Sequence, residues 1–266
     1  MIVNVRGMRM RCVVEGPENG DPVLLVHGFP LSADMWRPTI AGLRDRWRLI
    51  APDLRGHGET PPSDDATMPT LADDLVALLD ALHESRAMTV VGLSMGGYVA
   101  FELYRRHRTR ARALGLIDTR AEPDSPEAAE GREKSARAAL TSGSSAVVDP
   151  MMEKLWASAT SPSVREDWRR RMTQNSPEGI AAALRGMAVR SSAVEILDSI
   201  TVPTLVVAGG EDRITPPDGA AKMAKQIPGA RFEVIPDAGH LPPIEKPDAF
   251  IAVLRQFLLG LCETGS

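Results

Sequence analysis

The feature that most constrains this chain is the pentapeptide Gly92-Leu93-Ser94-Met95-Gly96 together with its flanks. A short apolar run at residues 88–91 precedes it, and residues 98–104, which contain neither Pro nor Gly, follow it. This pattern predicts a strand, one sharp turn and a helix, with the Ser94 hydroxyl exposed at the turn. Gly92 and Gly96 lack the Cβ atoms that would collide where strand and helix cross closely. Ser94 is therefore a candidate nucleophile; the alternative is a glycine-rich turn whose serine only caps the helix.

Short apolar runs alternate with helix-like segments along most of the chain. Strands are predicted at residues 2–5, 8–14, 22–26, 48–51, 88–91, 113–117, 203–208 and 231–235, and helices at 33–44, 69–83, 98–104 and 247–259. Continuous apolar runs such as residues 22–26 are typical of strands buried on both faces of a mostly parallel sheet. The order of elements predicts an α/β fold with a doubly wound, mostly parallel sheet of about eight strands.

The composition changes after residue 120. Residues 122–192 are rich in Ala, Arg, Glu and Ser and show helical patterns without a convincing strand. Polar breaks at 141–145 and 160–162 divide this segment into three or four helices. Strand patterns lie on both sides of it. We therefore expect a core domain of residues 1–120 and 193–266, with a helical cap of residues 121–192 inserted into it.

A serine nucleophile needs a base within hydrogen-bond reach, and the base needs a carboxylate that orients it. Open α/β sheets place such groups on loops at the carboxyl ends of their strands. Asp212 follows the predicted strand at 203–208, and His240 follows the one at 231–235. Ser94, Asp212 and His240 are thus the candidate nucleophile, acid and base, in the chain order of the α/β-hydrolases.

Two other carboxylates compete with Asp212 for the role of the acid. Glu211 is adjacent in sequence, and Asp118 directly follows the predicted strand at 113–117. Position alone favours Asp212, because it lies one strand before the His240 loop.

Five segments carry a resemblance to the α/β-hydrolase superfamily over essentially the full length of the chain. They are residues 27–30 (HGFP), 53–58 (DLRGHG), 92–97 (GLSMGG), 210–212 (GED) with Pro216, and 239–240 (GH). Within the superfamily, the chain most resembles small capped esterases and the 3-oxoadipate enol-lactonase-like hydrolases. The resemblance implies Ser94 as nucleophile, His240 as base and Asp212 as acid. It also implies an oxyanion hole formed by the backbone N–H groups of Phe29 and Met95.

The leading functional hypothesis is a serine hydrolase that cleaves a small carboxylic ester or lactone. The same triad also serves cofactor-free haloperoxidase or perhydrolase chemistry and the hydrolysis of carbon–carbon bonds. A non-catalytic ligand receptor is a further alternative. Dehalogenase and epoxide-hydrolase activities are disfavoured, because they need an aspartate at the position of Ser94.

Charge and composition restrict the partners. A net charge of -4 argues against nucleic acid or an anionic membrane as the main partner. No apolar run approaches the roughly 20 residues that span a bilayer, and no secretory signal is visible, so we expect a cytoplasmic protein. No His, Cys or carboxylate spacing indicates a metal, and no dinucleotide fingerprint indicates a cofactor. No oligomeric state follows from the sequence.

Two further expectations concern individual side chains. Among the large apolar residues of the predicted cap, Met152 and Trp156 are the candidates for lining a substrate pocket. His27 and His57 belong to loop motifs, and we expect their rings to bind backbone groups.

Overall fold

The computed structural model describes residues 1–263, and these contain a single eight-stranded sheet. The strands are β1 (Ile2–Val5), β2 (Met8–Glu15), β3 (Pro22–Val26), β4 (Arg48–Pro52), β5 (Met88–Leu93), β6 (Ala111–Ile117), β7 (Thr204–Gly209) and β8 (Arg231–Ile235). Their spatial order is β1-β2-β4-β3-β5-β6-β7-β8. The β1–β2 and β2–β4 pairs are antiparallel and all the others are parallel. The predicted sheet is confirmed.

Helices cover both faces of the sheet, so its central strands are buried. Alternate residues of β3 face opposite sides: Leu24 and Val26 pack into one apolar cluster, and Val23 and Leu25 into another. The first cluster includes residues of α2 (Met68–Ala81), α3 (Met95–Arg106) and α8 (Pro217–Gln226). The second includes residues of α1 (Arg37–Leu43) and α10 (Pro247–Glu263). Burial on both faces explains why these strands are continuously apolar in sequence.

The helix bounds differ from the predicted ones in a few places. The segment predicted as one helix at 33–44 divides into a 3₁₀ turn, Ala33–Trp36, and α1. Pro38 lies in the first turn of α1, where its missing N–H leaves no hydrogen bond unmade. Helices α8 and α9 (Pro242–Glu245) lie outside the predicted segments.

Four helices lie between β6 and β7, and we call them the insertion helices. They are α4 (Pro126–Ser142), α5 (Ser145–Leu155), α6 (Pro162–Thr173) and α7 (Pro177–Ala188). Helices α4, α6 and α7 each begin with a serine and a proline. In each, the serine oxygen accepts a hydrogen bond from the backbone N–H three residues on, which satisfies one unpaired donor of the first turn. Within residues 1–263, no helix has the length and the apolar character needed to cross a bilayer.

Candidate active site

Ser94 occupies the sharp turn between β5 and α3. Its φ of 53° and ψ of -112° lie in a region that L-residues rarely adopt, and its N–H donates to Ile117 O at 2.8 Å. A Cβ at Gly92 would lie 2.2 Å from Gly96 O, and one at Gly96 would lie 2.2 Å from Val26 O. Because these contacts leave no room for a side chain, only glycine permits the close crossing of strand and helix.

A threonine beyond the end of β6 supports this turn. Thr119 Oγ1 donates to Ser94 O at 2.8 Å. A Cβ at Gly97 would lie 2.4 Å from Thr119 Oγ1, so the absence of a side chain at Gly97 leaves room for the threonine. The sequence pattern identified Gly97 but gave no reason to single out Thr119.

Asp212 and His240 form a buried pair on the loops after β7 and β8. Asp212 Oδ2 lies 2.8 Å from His240 Nδ1, and the two residues are 4% and 2% exposed. Asp212 also accepts from Ile214 N, from Thr215 N and, at 2.6 Å, from Thr215 Oγ1. Burial opposes its ionisation, but His240 and these hydrogen bonds outweigh burial and lower the pKa of Asp212 to about 2. An ionised Asp212 requires a proton on Nδ1, which leaves Nε2 of a neutral His240 able to accept one.

The two competing carboxylates have other partners. Glu211 accepts from the backbone N–H of Ser158 at 2.7 Å and from its hydroxyl at 3.2 Å. Asp118 lies fully buried beside the pair, since one carboxyl oxygen of Asp118, one of Asp212 and a ring nitrogen of His240 are all within 4.8 Å of one another. Of the three carboxylates, Asp212 is the one that hydrogen-bonds His240.

Phe29 lies on the loop after β3, which packs against the Ser94 turn. A Cβ at Gly28 would lie 3.3 Å from Ser94 Cβ, so this loop runs against the serine turn. Among the described residues, no acceptor binds the backbone N–H of Phe29 or of Met95. An oxyanion hole requires unpaired N–H groups near the nucleophile; Met95 directly follows Ser94, and Phe29 directly follows Gly28.

The histidines of the loop motifs bind backbone groups, as predicted. His27 Nε2 accepts from Leu54 N–H at 2.9 Å, so Nδ1 carries the proton and donates to Gly28 O at 2.9 Å. His57 Nδ1 donates to Arg55 O at 2.9 Å. Burial lowers the pKa of His27 to about 4, and burial together with the neighbouring His27 lowers that of His57 to about 3. Both rings are therefore neutral at pH 7. His27 joins the Phe29 loop to Leu54, and the His57 ring contacts the Phe29 ring edge-on with a centroid distance of 5.9 Å.

Asn175, between α6 and α7, joins two core loops. Its Nδ2 donates to Pro30 O at 2.7 Å, and its Oδ1 accepts from Gly58 N at 2.8 Å. Asn175 is 6% exposed, so these bonds replace hydration that the amide has lost. No signal in the sequence marks this asparagine, since its partners are more than a hundred residues away.

Glu245 of α9 fixes the backbone on both sides of His240. Its Oε1 accepts from Gly239 N at 2.9 Å and from Leu241 N at 3.0 Å, and its Oε2 accepts from Ala157 N at 2.8 Å. The histidine loop is thereby tied to the chain segment that follows α5. Sequence reasoning missed this residue, because a glutamate five positions after the histidine matches no pattern that we used.

A cavity of about 460 Å³ separates the core from the insertion helices. Phe29 of the loop after β3 and Ile214, two residues after Asp212, line its core side, whereas Ser94, Asp212 and His240 are not among the lining residues. Its other lining residues are Arg120, Asp124, Ala128, Gly131, Arg132, Ser135, Ala146, Val147, Pro150, Met151, Lys154 and Leu184.

The two side chains expected to line a pocket lie elsewhere. Trp156 is 1% exposed and packs in the apolar cluster that contains α1 and α10. Met152 lines a shallow depression between α5 and α6. Among the described residues, the neighbouring Met151 lines the cavity beside Phe29, and Met152 and Trp156 do not.

Comparisons with known proteins agree with this fold. A family profile described as alpha/beta hydrolase fold matches residues 21–247. The 3-oxoadipate enol-lactonase 1 of Acinetobacter baylyi is 29% identical over 265 residues, which cover 98% of this chain and 97% of that protein. A thermophilic esterase from Thermogutta terrifontis, solved with malate bound, is 40% identical with a TM-score of 0.95 and 98% of each chain covered. The enol-lactonase of Burkholderia xenovorans LB400 is 28% identical with a TM-score of 0.90, and the match covers 97% of this chain and 100% of that one. The chain belongs to the α/β-hydrolase fold family and is, like these relatives, an α/β-hydrolase enzyme.

Proposed function

We propose that this protein is a serine hydrolase that cleaves a small carboxylic ester or lactone through an acyl-enzyme intermediate. Ser94 Oγ attacks the carbonyl carbon while His240 Nε2 takes its proton. His240 then gives this proton to the leaving oxygen, and in the second half of the reaction it activates water against the acyl group. Asp212 holds the imidazole in the tautomer that this exchange needs.

One observation carries this proposal. The buried Asp212–His240 pair lies on loops at the carboxyl ends of β7 and β8, and Ser94 occupies a strained turn at the carboxyl end of β5. Strain of this kind costs about 1–3 kcal/mol and is retained where the conformation serves a function. The unpaired N–H groups of Phe29 and Met95 support a negative oxygen in the transition state. Each such donor contributes about 3–4 kcal/mol to lowering the barrier.

The cavity beside Phe29 supports a more specific substrate class, an ester or lactone that carries a carboxylate away from the reacting carbonyl. Arg120, Arg132 and Arg190 all pair with the single carboxylate of Asp124. Lys154 adds a further positive charge to the lining. Arg120, Arg132 and Lys154 line the cavity together with the one carboxylate of Asp124, so the lining is positive, which favours an anionic substrate. Malate, bound in the Thermogutta terrifontis esterase, is itself a dicarboxylate.

We also propose that the insertion helices form a cap, residues 121–192, over a core of residues 1–120 and 193–266. The cavity supports this division, because the core strands and loops provide the reacting groups and the insertion helices provide most of the remaining lining.

A panel of substrates tests the proposed reaction. Purified protein is assayed with p-nitrophenyl acetate and butyrate, with a series of simple lactones, and with monomethyl succinate against methyl butyrate. We expect turnover of esters or lactones, and labelling of the Ser94 peptide by a fluorophosphonate. Absence of both turnover and labelling would refute the proposal, and equal rates for the charged and uncharged methyl esters would refute the anionic substrate class alone.

A further inference from the structure

A second buried carboxyl group lies behind the acid of the proposed triad. Asp118 follows β6, is 0% exposed, and has a positive φ of 43°. Its Oδ1 accepts from Gly209 N–H at 2.8 Å. Its Oδ2 is buried, and no N–H or O–H donor from residues 1–263 binds it.

This unpartnered oxygen lies in a small group of titratable side chains. Asp212 comes from the loop after β7 and His240 from the loop after β8, and a ligand-capable atom of each lies within 4.8 Å of one from Asp118. Glu245 of α9 is a more distant negative charge that acts in the same direction as Asp212. Two carboxylates this close, shielded from water, cannot both ionise without a large cost.

The hydrogen bonds decide which of the two carboxyl groups holds a proton. Asp212 accepts three bonds from its own loop and a fourth from His240, all of which stabilise its charge. Asp118 accepts one bond. Burial and the charge of Asp212 raise the pKa of Asp118 well above its usual range.

We infer that Asp118 is a neutral carboxylic acid whose Oδ2–H donates to Asp212, and that it acts as a positioning residue for the Asp212–His240 pair. The proton stays on Asp118 through the reaction. It gives Asp212 a further donor, limits the pair of carboxyl groups to one negative charge and resists rotation of the Asp212 carboxylate away from the imidazole. This inference rests on the triad proposed above.

Unfolding measurements test the protonation of Asp118 without using activity. An unfolded aspartate ionises near pH 3.9, so a group that stays neutral in the folded protein makes wild-type stability fall as pH rises above that value. Asp118→Asn has no such proton. Between pH 5 and 7 we expect the unfolding equilibrium constant of the wild type, relative to Asp118→Asn, to rise by about tenfold per pH unit in urea titrations. A ratio that does not change with pH would mean that Asp118 is ionised in the fold, and would overturn the inference.

Kinetics test the positioning role. Asparagine keeps the acceptor for Gly209 and an N–H donor toward Asp212, so Asp118→Asn should keep kcat/KM for p-nitrophenyl acetate within about threefold. Asp118→Leu has a similar shape but no donor, and it should lose about tenfold to a hundredfold, mainly in kcat. Full activity of the leucine variant, or equal losses in both variants, would overturn the role. If the leucine variant does not fold, the asparagine variant and its pH titration still decide. If no ester or lactone is turned over, the urea titration still tests the proton on Asp118, so this inference and the proposed function fail separately.

Discussion

The two sides of the cavity are built differently. On the core side, Asp212, His240 and Phe29 are 4%, 2% and 7% exposed, and backbone hydrogen bonds or tight packing fix the loops that carry them. On the insertion side, the lining residues Ala128, Gly131 and Lys154 are exposed, and exposed ion pairs such as Arg169–Asp149, each worth about 0–1 kcal/mol, add to the apolar packing of the helices. The contrast suggests that the reacting groups tolerate little displacement, whereas the residues that contact a substrate can be exchanged at small cost.

Ser94→Ala should have the largest effect. Removal of the nucleophile should lower kcat for p-nitrophenyl esters by about 10⁶, because the remaining groups cannot form the acyl-enzyme. Circular dichroism should show an unchanged fold, and the fluorophosphonate should no longer label the protein. Ser142→Ala, at the exposed end of α4, is the matched control and should behave as the wild type. Wild-type turnover by Ser94→Ala would remove the serine from the mechanism.

Asp212→Asn should lower kcat by about 10⁴, because an amide that donates to His240 stabilises the wrong tautomer. Glu211→Gln is the adjacent control and should keep most activity, since Glu211 binds Ser158. If the effects of the two substitutions were exchanged, the acid of the triad would be Glu211.

The activity should depend on pH through the histidine. Because the pKa of Asp212 is lowered to about 2, its carboxylate stays ionised over the pH range of the assay. The pH dependence of the activity therefore comes from the histidine base. Because only neutral imidazole accepts a proton, log kcat/KM should rise with unit slope as pH rises and then level off. A profile that stays flat from about pH 5 to pH 8 would exclude a histidine base.

Arg120→Gln tests the charge of the cavity. The half-buried guanidinium should favour anionic substrates, so we expect the ratio of kcat/KM for monomethyl succinate to that for methyl butyrate to fall about tenfold. Arg137→Gln makes the same chemical change on the exposed face of α4, outside the cavity, and should leave the ratio unchanged. An unaltered ratio in both variants would show that Arg120 does not contact the substrate.

Met151→Ala should have the smallest effect and the most selective one. It enlarges the cavity without touching the proposed triad, so the preference for p-nitrophenyl octanoate over butyrate should rise about fivefold. Met152→Ala, one residue on, faces the depression between α5 and α6 and serves as the control. A common fall in all rates would indicate that Met151 supports the fold more than it shapes the cavity.

Sequence reasoning succeeded where local pattern and chain order suffice. The central strands were predictable because burial on both faces requires continuous apolar runs. The Ser94 turn was predictable because two glycines are a steric necessity there. Positions at strand ends selected Asp212 and His240, and the structure joins these two by a hydrogen bond.

The remaining features depend on contacts between distant segments. Asn175 binds backbone groups of two distant core loops, and Glu245 joins the backbone beside His240 to the distant N–H of Ala157. The sequence places Trp156 among the candidates for a pocket because a large apolar side chain of the cap suits either a pocket or a core. In the structure, Trp156 is 1% exposed and packs in the apolar cluster with residues of α1 and α10, contacts that no local pattern contains.

Asn175 bears on attempts to exchange parts between related enzymes. Its single amide bridges the carbonyl of Pro30, next to the Phe29 loop, and the N–H of Gly58. A chimera that replaces all four insertion helices without an asparagine at this position leaves both groups buried and unpaired, at a cost of about 1–3 kcal/mol each. A chimera whose exchanged segment ends before Met172 keeps the native Asn175 and avoids this loss. Met172 is therefore the preferred boundary for such an exchange.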